Sequence, residues 1–332
     1  MKTISSLLDA AWHERYRNIA RLNIRSSIYD VTNQCNLRCK GCFFFSSNEH
    51  MAASDEMDLT KWYAFVAEEK GRGVNLAILI GGEPTLYLDR VEAFYQQLPT
   101  YCATNGQIKI PRDRFPDMMV GISLWGDAED EIMLRGKDTF AVSRRHYEGD
   151  PYTYYLYTIT PKQVGRIESV VKKIADAGLK VHFQLLTNDE GVEGFSWNED
   201  KLRDVRSEMD DMLDRYPRTV VSCRYYHEII TTGKMMGRTF GWNECPSVTE
   251  PLDTRNPRPK RLIHFIRWAS DLQTMHRCCT SETRDCSTCK DGAAHMSWVM
   301  VNKREHLRST EDLQNWIEVY EMFAKLYRFI PW

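Results

Sequence analysis

Six short β-rich runs, interleaved with helical patterns, constrain the fold of this 332-residue chain more than any other feature. The runs are Ser26–Thr32, Asn75–Ile80, Thr100–Thr104, Val120–Leu124, Tyr152–Thr158 and Val181–Leu186. Helical periodicity marks Leu59–Lys70, Asp89–Gln97, Lys162–Ala177 and Glu199–Arg215, each lying between strands or after the last one. Gly73 and Gly178 stand where a helix should turn into the next strand. Strands joined through helices run parallel, with the helices outside. About six such units predict an α/β chain built as an open, partial (β/α)6 barrel of the TIM type, rather than a closed barrel of eight.

After Pro217 the pattern changes. Val220–Ile230, followed by Thr231, Thr232 and Gly233, reads as the start of a hairpin. Leu252–Arg261 is rich in Pro, Arg and Lys and reads as an exposed loop, and Thr310–Arg328 as an amphipathic helix. The expected organisation is a helical segment over 1–23, the barrel over 24–216, a small Cys-rich α+β extension over 217–305 and a C-terminal helix over 306–332.

The chain is 42% hydrophobic, which is ample for a real core, and its formal net charge of −2 gives no basic field for nucleic acid. His13, Glu14, Arg15 and Arg17 break any signal-peptide run. No apolar stretch approaches the roughly 18–20 residues that cross a bilayer. A soluble, cytoplasmic protein with neither nucleic acid nor membrane as partner is expected. Ten cysteines in a reducing compartment then point to metal or redox chemistry rather than to disulfides.

Three of them form Cys35-Asn-Leu-Arg-Cys39-Lys-Gly-Cys42, just past the first strand. Three thiolates this close can grip three irons of a [4Fe–4S] cube and leave the fourth open to a small molecule. A structural zinc wants four protein ligands, and only His50 stands near as a candidate. The second strand runs into Gly81-Gly82-Glu83-Pro84, where two glycines let the backbone approach a ligand and a carboxylate is placed to meet an ammonium group.

The spacing, the turn and their order resemble the radical S-adenosylmethionine (SAM) superfamily over roughly Arg25 to Leu186. The resemblance implies that Cys35, Cys39 and Cys42 hold a [4Fe–4S] cluster, and that SAM chelates its open iron. Reductive cleavage to methionine and a 5′-deoxyadenosyl radical would follow. It further implies SAM contacts from Gly81, Gly82 and Glu83, and candidate contacts from Ser123 and Gln184. Many members carry an aromatic residue before the third cysteine. Here that residue is Gly41, with Phe43, Phe44 and Phe45 following, so an adenine contact would come from the Gly41 backbone or from Phe43. Arg135-Gly136 with Thr139-Phe140 resembles the family's next helix.

Cys245, Cys278, Cys279, Cys286 and Cys289 follow the barrel. Their placement resembles the twitch or SPASM extensions of that superfamily and implies one auxiliary [4Fe–4S] cluster. The favoured ligands are Cys245, one of Cys278 and Cys279, Cys286 and Cys289, with Cys223 as a substitute and tetrahedral zinc as the alternative occupant. Cys102 and Cys223 are also candidate hydrogen-atom donors, against the plainer reading of core thiols. Arg255, Arg258, Lys260 and Arg261 read as a solvated loop before a phosphate or carboxylate site.

The expectation is an enzyme acting on a small polar metabolite (a sugar, aminoglycoside or nucleoside), reduced by a flavodoxin- or ferredoxin-type donor. Dehydrogenation, epimerisation and decarboxylation are the reaction types in view. The alternative is a maturase of a ribosomally made peptide. Only 34 residues precede Cys35, fewer than a leader-binding domain uses, which favours the metabolite. A non-catalytic iron–sulfur or zinc sensor is the reading from another class, and the Gly81-Gly82-Glu83 turn argues against it.

Overall fold

Strands β1 (Ser26–Asp30), β2 (Leu76–Ile80), β3 (Thr100–Thr104), β4 (Met119–Leu124), β5 (Thr153–Ile159) and β6 (Lys180–Leu185) lie side by side in chain order, every neighbouring pair parallel. The computed structural model describes residues 4–46, 54–187, 194–241, 244–246, 267–276, 286–327 and 329–332. The six runs read from sequence are these six strands, with ends shifted by at most two residues. They are apolar along their whole length because helices cover one face and the barrel interior the other; in β2, four of five residues are buried.

The connecting helices carry the expected punctuation. Asp58, Asp127, Asp138 and Asn198 cap helices Leu59–Gly71, Ala128–Arg135, Thr139–Tyr147 and Glu199–Arg215, each side chain accepting from a first-turn amide. Gly73 and Gly178 turn helix into strand with φ of +98° and +68°. Helix Ile167–Asp176 buries Ile167, Val170, Val171 and Ile174, one face at helical spacing. It starts later than the periodicity suggested, because Thr160 to Arg166 form successive turns through Gly165.

Beyond the barrel one expectation is corrected. Val220–Ile230 does not open a hairpin. Val220 bridges Val181 beside β6, and Arg224–Thr232 is an α-helix running from Cys223 at its N-cap to Gly233 in the left-handed region. Tyr226, Ile229 and Ile230 bury one face of it, so packing overrides the β-branched composition. The hairpin follows as β7 (Lys234–Met235) and β8 (Arg238–Thr239).

The Cys-rich region also returns to the sheet. β9 (Arg267–Trp268) pairs in parallel with β1, and β10 (Met275–His276) pairs antiparallel with β9. Arg267 meets Asp30 through two nitrogens at 3.0–3.2 Å, both side chains buried. Trp268 donates to Glu69 and Ser270 to Asp55. At the other end of the barrel, helix Thr310–Leu326 packs on helix Ala10–Ala20, where Arg15 forks onto Glu321 at 2.6–3.1 Å. Tyr327 meets the Tyr101 ring edge-on at 5.0 Å and Trp332 meets Tyr154 at 5.7 Å.

Removing one partner of a buried ion pair strands the other charge in the interior. Asp30→Ala should therefore cost about 3–5 kcal/mol of stability, read as a lowered midpoint in urea unfolding. A midpoint shift below about 1 kcal/mol in free energy, the scale of an exposed pair, would show that Arg267 reaches water.

Candidate active site

The carboxyl ends of the parallel strands open on a cavity of about 310 Å³. Its wall begins where β1 ends. The amide of Gly82 donates to the Thr32 carbonyl and that of Glu83 to the Gln34 carbonyl, both at 2.8 Å, so the exit of β2 is stitched to the segment leading into Cys35. Only glycine fits this seam. A Cβ on Gly82 would lie 2.0 Å from the Gln34 carbonyl oxygen, and Gly81 has φ of +123°.

Glu83 is 1% exposed. Its Oε1 accepts from the Thr85 amide, the Thr85 hydroxyl and the Thr104 hydroxyl at 2.6–3.0 Å, while Oε2 accepts from the Asn105 amide at 2.8 Å. A carboxylate offers about four acceptor positions split between two oxygens. Oε1 is saturated, and Oε2 retains a position toward the cavity that Glu83 lines.

Cys35, Cys39 and Cys42 all line this cavity and are all partly exposed. Their loop is shaped by Gly41 at φ +74°, by the Cys42 amide donating to the Cys39 carbonyl, and by a helical turn over Phe43–Ser46. Lys40 donates its amide to the Leu134 carbonyl at 2.7 Å, and Arg135 is hydrogen-bonded to Cys39. Arg135 also donates to the Ser123 carbonyl and to Thr139, and pairs with Glu131. Burial pushes the thiols of Cys35 and Cys42 up from their ordinary value. Among the described residues no three Cys, His, Asp or Glu side chains are gathered as a ready metal site; the three thiols share one wall of the cavity. Three soft donors on one short loop beside a glycine cradle fit an iron–sulfur cube with an adjacent small ligand.

The same cavity receives Gly41, Gly81, Gly82, Ser123 and Gln184. The Phe43 side chain lies outside the described residues. Cys102 and Cys223 do not line it. Cys102 is fully buried behind β3, where burial pushes its thiol well up, and Cys223 is buried at a helix N-cap, pushed up to about 12 for the same reason.

In the extension, Cys286 and Cys289 sit on one 3₁₀ turn, the Cys289 amide donating to the Cys286 carbonyl. The Asp291 amide points at the Cys289 sulfur at 3.4 Å, and Asp291 then caps helix Gly292–Val301. Trp298 of that helix donates to Glu244, which tethers the Cys245 segment to it. Cys278 and Cys279 lie outside the described residues, as do Arg255, Arg258, Lys260 and Arg261.

Sequence reasoning missed several wall residues. Asn105 joins Glu83 to Asn36, donating from Nδ2 at 2.7 Å. Arg267 and Asp291–Ala293 reach the cavity from the extension, and Phe323, Leu326 and Tyr327 from the C-terminal helix. His182 lines it two residues before Gln184 on β6; strand alternation already placed both on one face. Its Nδ1 pairs with the Val221 carbonyl at 2.9 Å, and burial pushes its pKa down to about 4, so the ring is neutral near pH 7.

No protein-family profile matches the chain. Isoleucine–tRNA ligases of Neisseria meningitidis serogroups C and B are 34% identical over 89 residues. That match covers 24% of this chain and 9% of the ligase, so the chain spans under a tenth of those curated relatives. Among solved structures, anSMEcpe with bound AdoMet superposes with a TM-score of 0.55 and 17% identity, over 92% of this chain and 98% of that one. The structure of anSMEcpe with AdoMet and the Cp18Cys peptide gives 0.53 and 16%, over 87% and 83%. Streptococcus suis SuiB bound to precursor peptide SuiA gives 0.53 and 14%, over 88% and 71%. The fold is that of the radical SAM enzymes, a partial barrel with a SPASM- or twitch-like extension. Fold and motif set together define a radical SAM enzyme.

Gly82→Ala tests the seam. The added methyl must displace the Gln34 backbone, and with it Cys35, so anaerobically reconstituted protein should lose most of the iron bound at the first loop. Gly71→Ala, where nothing lies within 4 Å of the new Cβ, should keep it. Full iron content in Gly82→Ala would show that the loop is not held through this contact.

Proposed function

We propose that this chain uses SAM and a [4Fe–4S] cluster to modify a peptide substrate. The observation that carries the reading is the single cavity into which Cys35, Cys39, Cys42, Gly81, Gly82, Glu83, Ser123 and Gln184 all converge. In this proposal Cys35, Cys39 and Cys42 hold the cluster, and Glu83 Oε2 with the Gly81–Gly82 backbone receives the SAM ammonium group. Gly41, Ser123 and Gln184 line the remainder of the cofactor's seat. Together the bound cluster and SAM supply a 5′-deoxyadenosyl radical.

The chain's own contribution is placement and shielding. Aromatic residues close the far end of the barrel against water, and helix Gly292–Val301 brings the auxiliary cysteines to the cavity rim. Cys245, Cys286, Cys289 and one of Cys278 and Cys279 are proposed to hold an auxiliary [4Fe–4S] cluster there.

Support for a peptide, over the small metabolite first expected, comes from the comparisons. The neighbours that share both the barrel and the extension over most of their lengths include two captured with peptides, Cp18Cys and SuiA. The short N-terminal segment weighed against a peptide in the sequence, yet leader binding does not have to reside in this chain.

Anaerobic incubation with SAM, a reductant and separate panels of peptides and sugar nucleotides tests both levels, with products read by mass spectrometry. The expected result is 5′-deoxyadenosine together with a mass change in a peptide, both abolished by Cys35→Ala. A mass change confined to a sugar nucleotide would overturn the peptide reading. No 5′-deoxyadenosine under any reductant would overturn the use of SAM.

A further inference from the structure

The outer surface beside the first cysteine loop has a composition that the cavity does not explain. Helix Ala128–Arg135 buries Leu134, which packs with Leu186, Phe195 and Trp125, yet it exposes Ile132 at 57% and Met133 at 38%. These two adjacent apolar side chains stand on the turn whose Leu134 carbonyl accepts from Lys40. Lys40 is exposed, as are Arg38 on the other side of Cys39 and Lys137 just past the helix. Arg38 is fixed by donating to the carbonyls of Cys35 and Leu37, both at 3.0 Å. None of Arg38, Lys40 and Lys137 is ion-paired among the described residues. The acids nearest in sequence are Glu129, exposed at the far end of the helix, and Asp138, which caps the next one.

Exposed apolar side chains ringed by unpaired cations are costly to leave open to solvent, and they suit a transient interface with an acidic protein. Lys40 is covalently next to Cys39, and Arg135 of the same helix is hydrogen-bonded to that thiol. An electron arriving here therefore crosses a single layer of protein.

We propose that Ile132, Met133, Lys40, Arg38 and Lys137 form the docking face for a small acidic one-electron carrier. One electron leaves the reduced carrier and enters the cluster held by Cys35, Cys39 and Cys42. This inference rests on the radical SAM reading and adds to it the place where the reductant binds.

The test uses anaerobically reconstituted protein with two probes, a bacterial flavodoxin and a bacterial-type ferredoxin, both acidic. Binding of each oxidised carrier is measured at low and high salt, for the wild type and for Ile132→Asp/Lys137→Glu. The affinity for at least one carrier should fall about tenfold in the variant, as should its salt dependence. Carrier-driven formation of 5′-deoxyadenosine should fall with it, while dithionite-driven formation stays at the wild-type rate. Lys137→Arg, which keeps the charge, should bind as the wild type does.

Unchanged affinity for both carriers in the double variant would overturn the docking face, whatever the activity shows. If dithionite fails to drive cleavage even in the wild type, the SAM reading fails, and the binding measurement still decides the surface by itself.

Discussion

The carboxylate of Glu83 binds three strand ends into one rim, and the candidate site depends on it. It gathers donors from Thr85 at the exit of β2 and from Thr104 and Asn105 at the exit of β3, while its own amide reaches the Gln34 carbonyl beyond β1. Hydrogen bonds to a charged group contribute about 1.5–3 kcal/mol each, roughly twice the neutral kind. Four of them on one buried carboxylate make the Gly81–Glu83 turn a rigid part, and the cysteine loop inherits that rigidity through Gln34. The arrangement also reconciles two roles that would otherwise compete. Oε1 serves the scaffold alone, and Oε2 stays partly available to a ligand.

A second carboxylate ties the extension to the same rim. Burial alone would raise the Asp55 carboxyl, yet hydrogen bonds from Thr32, Asn33, Ser270 and Arg90 hold it below its usual value. Arg90 reaches on to the Val31 carbonyl at 2.8 Å, and Ser270 follows β9, whose Arg267 is locked onto Asp30. The end of β1 is therefore gripped by its neighbour in the sheet and by residues more than 200 positions later in the chain. The Cys-rich region is thus not merely appended to the barrel. Part of it extends the sheet at the edge where the first cysteine loop begins, and its Arg267 lines the cavity.

How far all this was legible in the sequence follows from the range of the interactions involved. The parallel strands were visible because burial on both faces writes itself as short apolar runs, and the helices between them because one buried face gives a 3.6-residue period. Cys35-x3-Cys39-x2-Cys42 and Gly81-Gly82-Glu83 are local, so their convergence on one rim could be anticipated. Helix Arg224–Thr232 was misread because Ile229, Ile230, Thr231 and Thr232 carry strand composition, and only its packing decides the matter. Helix Gly292–Val301 escaped notice for the opposite reason. Seven of its ten residues are buried, so it shows no polar face and no period. Asn105, Arg267 and His182 reach the site through contacts between distant segments or through a partner known only once the strands are paired. No local pattern announces that Arg267 will meet Asp30.

The closed end of the barrel completes the physical logic of the site. Tyr101 on β3 leans across the interior so closely that a Cβ on Gly121 would lie 1.9 Å from its hydroxyl, and β4 carries a glycine at that position. Tyr154 stacks on Tyr101, and Tyr327 and Trp332 from the C-terminal segment seal them from below. Deep burial pushes the phenols of Tyr101 and Tyr154 well up, so they stay neutral, and this floor bears no charge that would draw in water. His182 on the wall is neutral for the same reason. A radical generated near the cysteine loop would face an apolar, closed chamber on one side and the open strand ends on the other. Substrate access and quenching by solvent are thereby confined to the same mouth, where a bound substrate can block the second by satisfying the first.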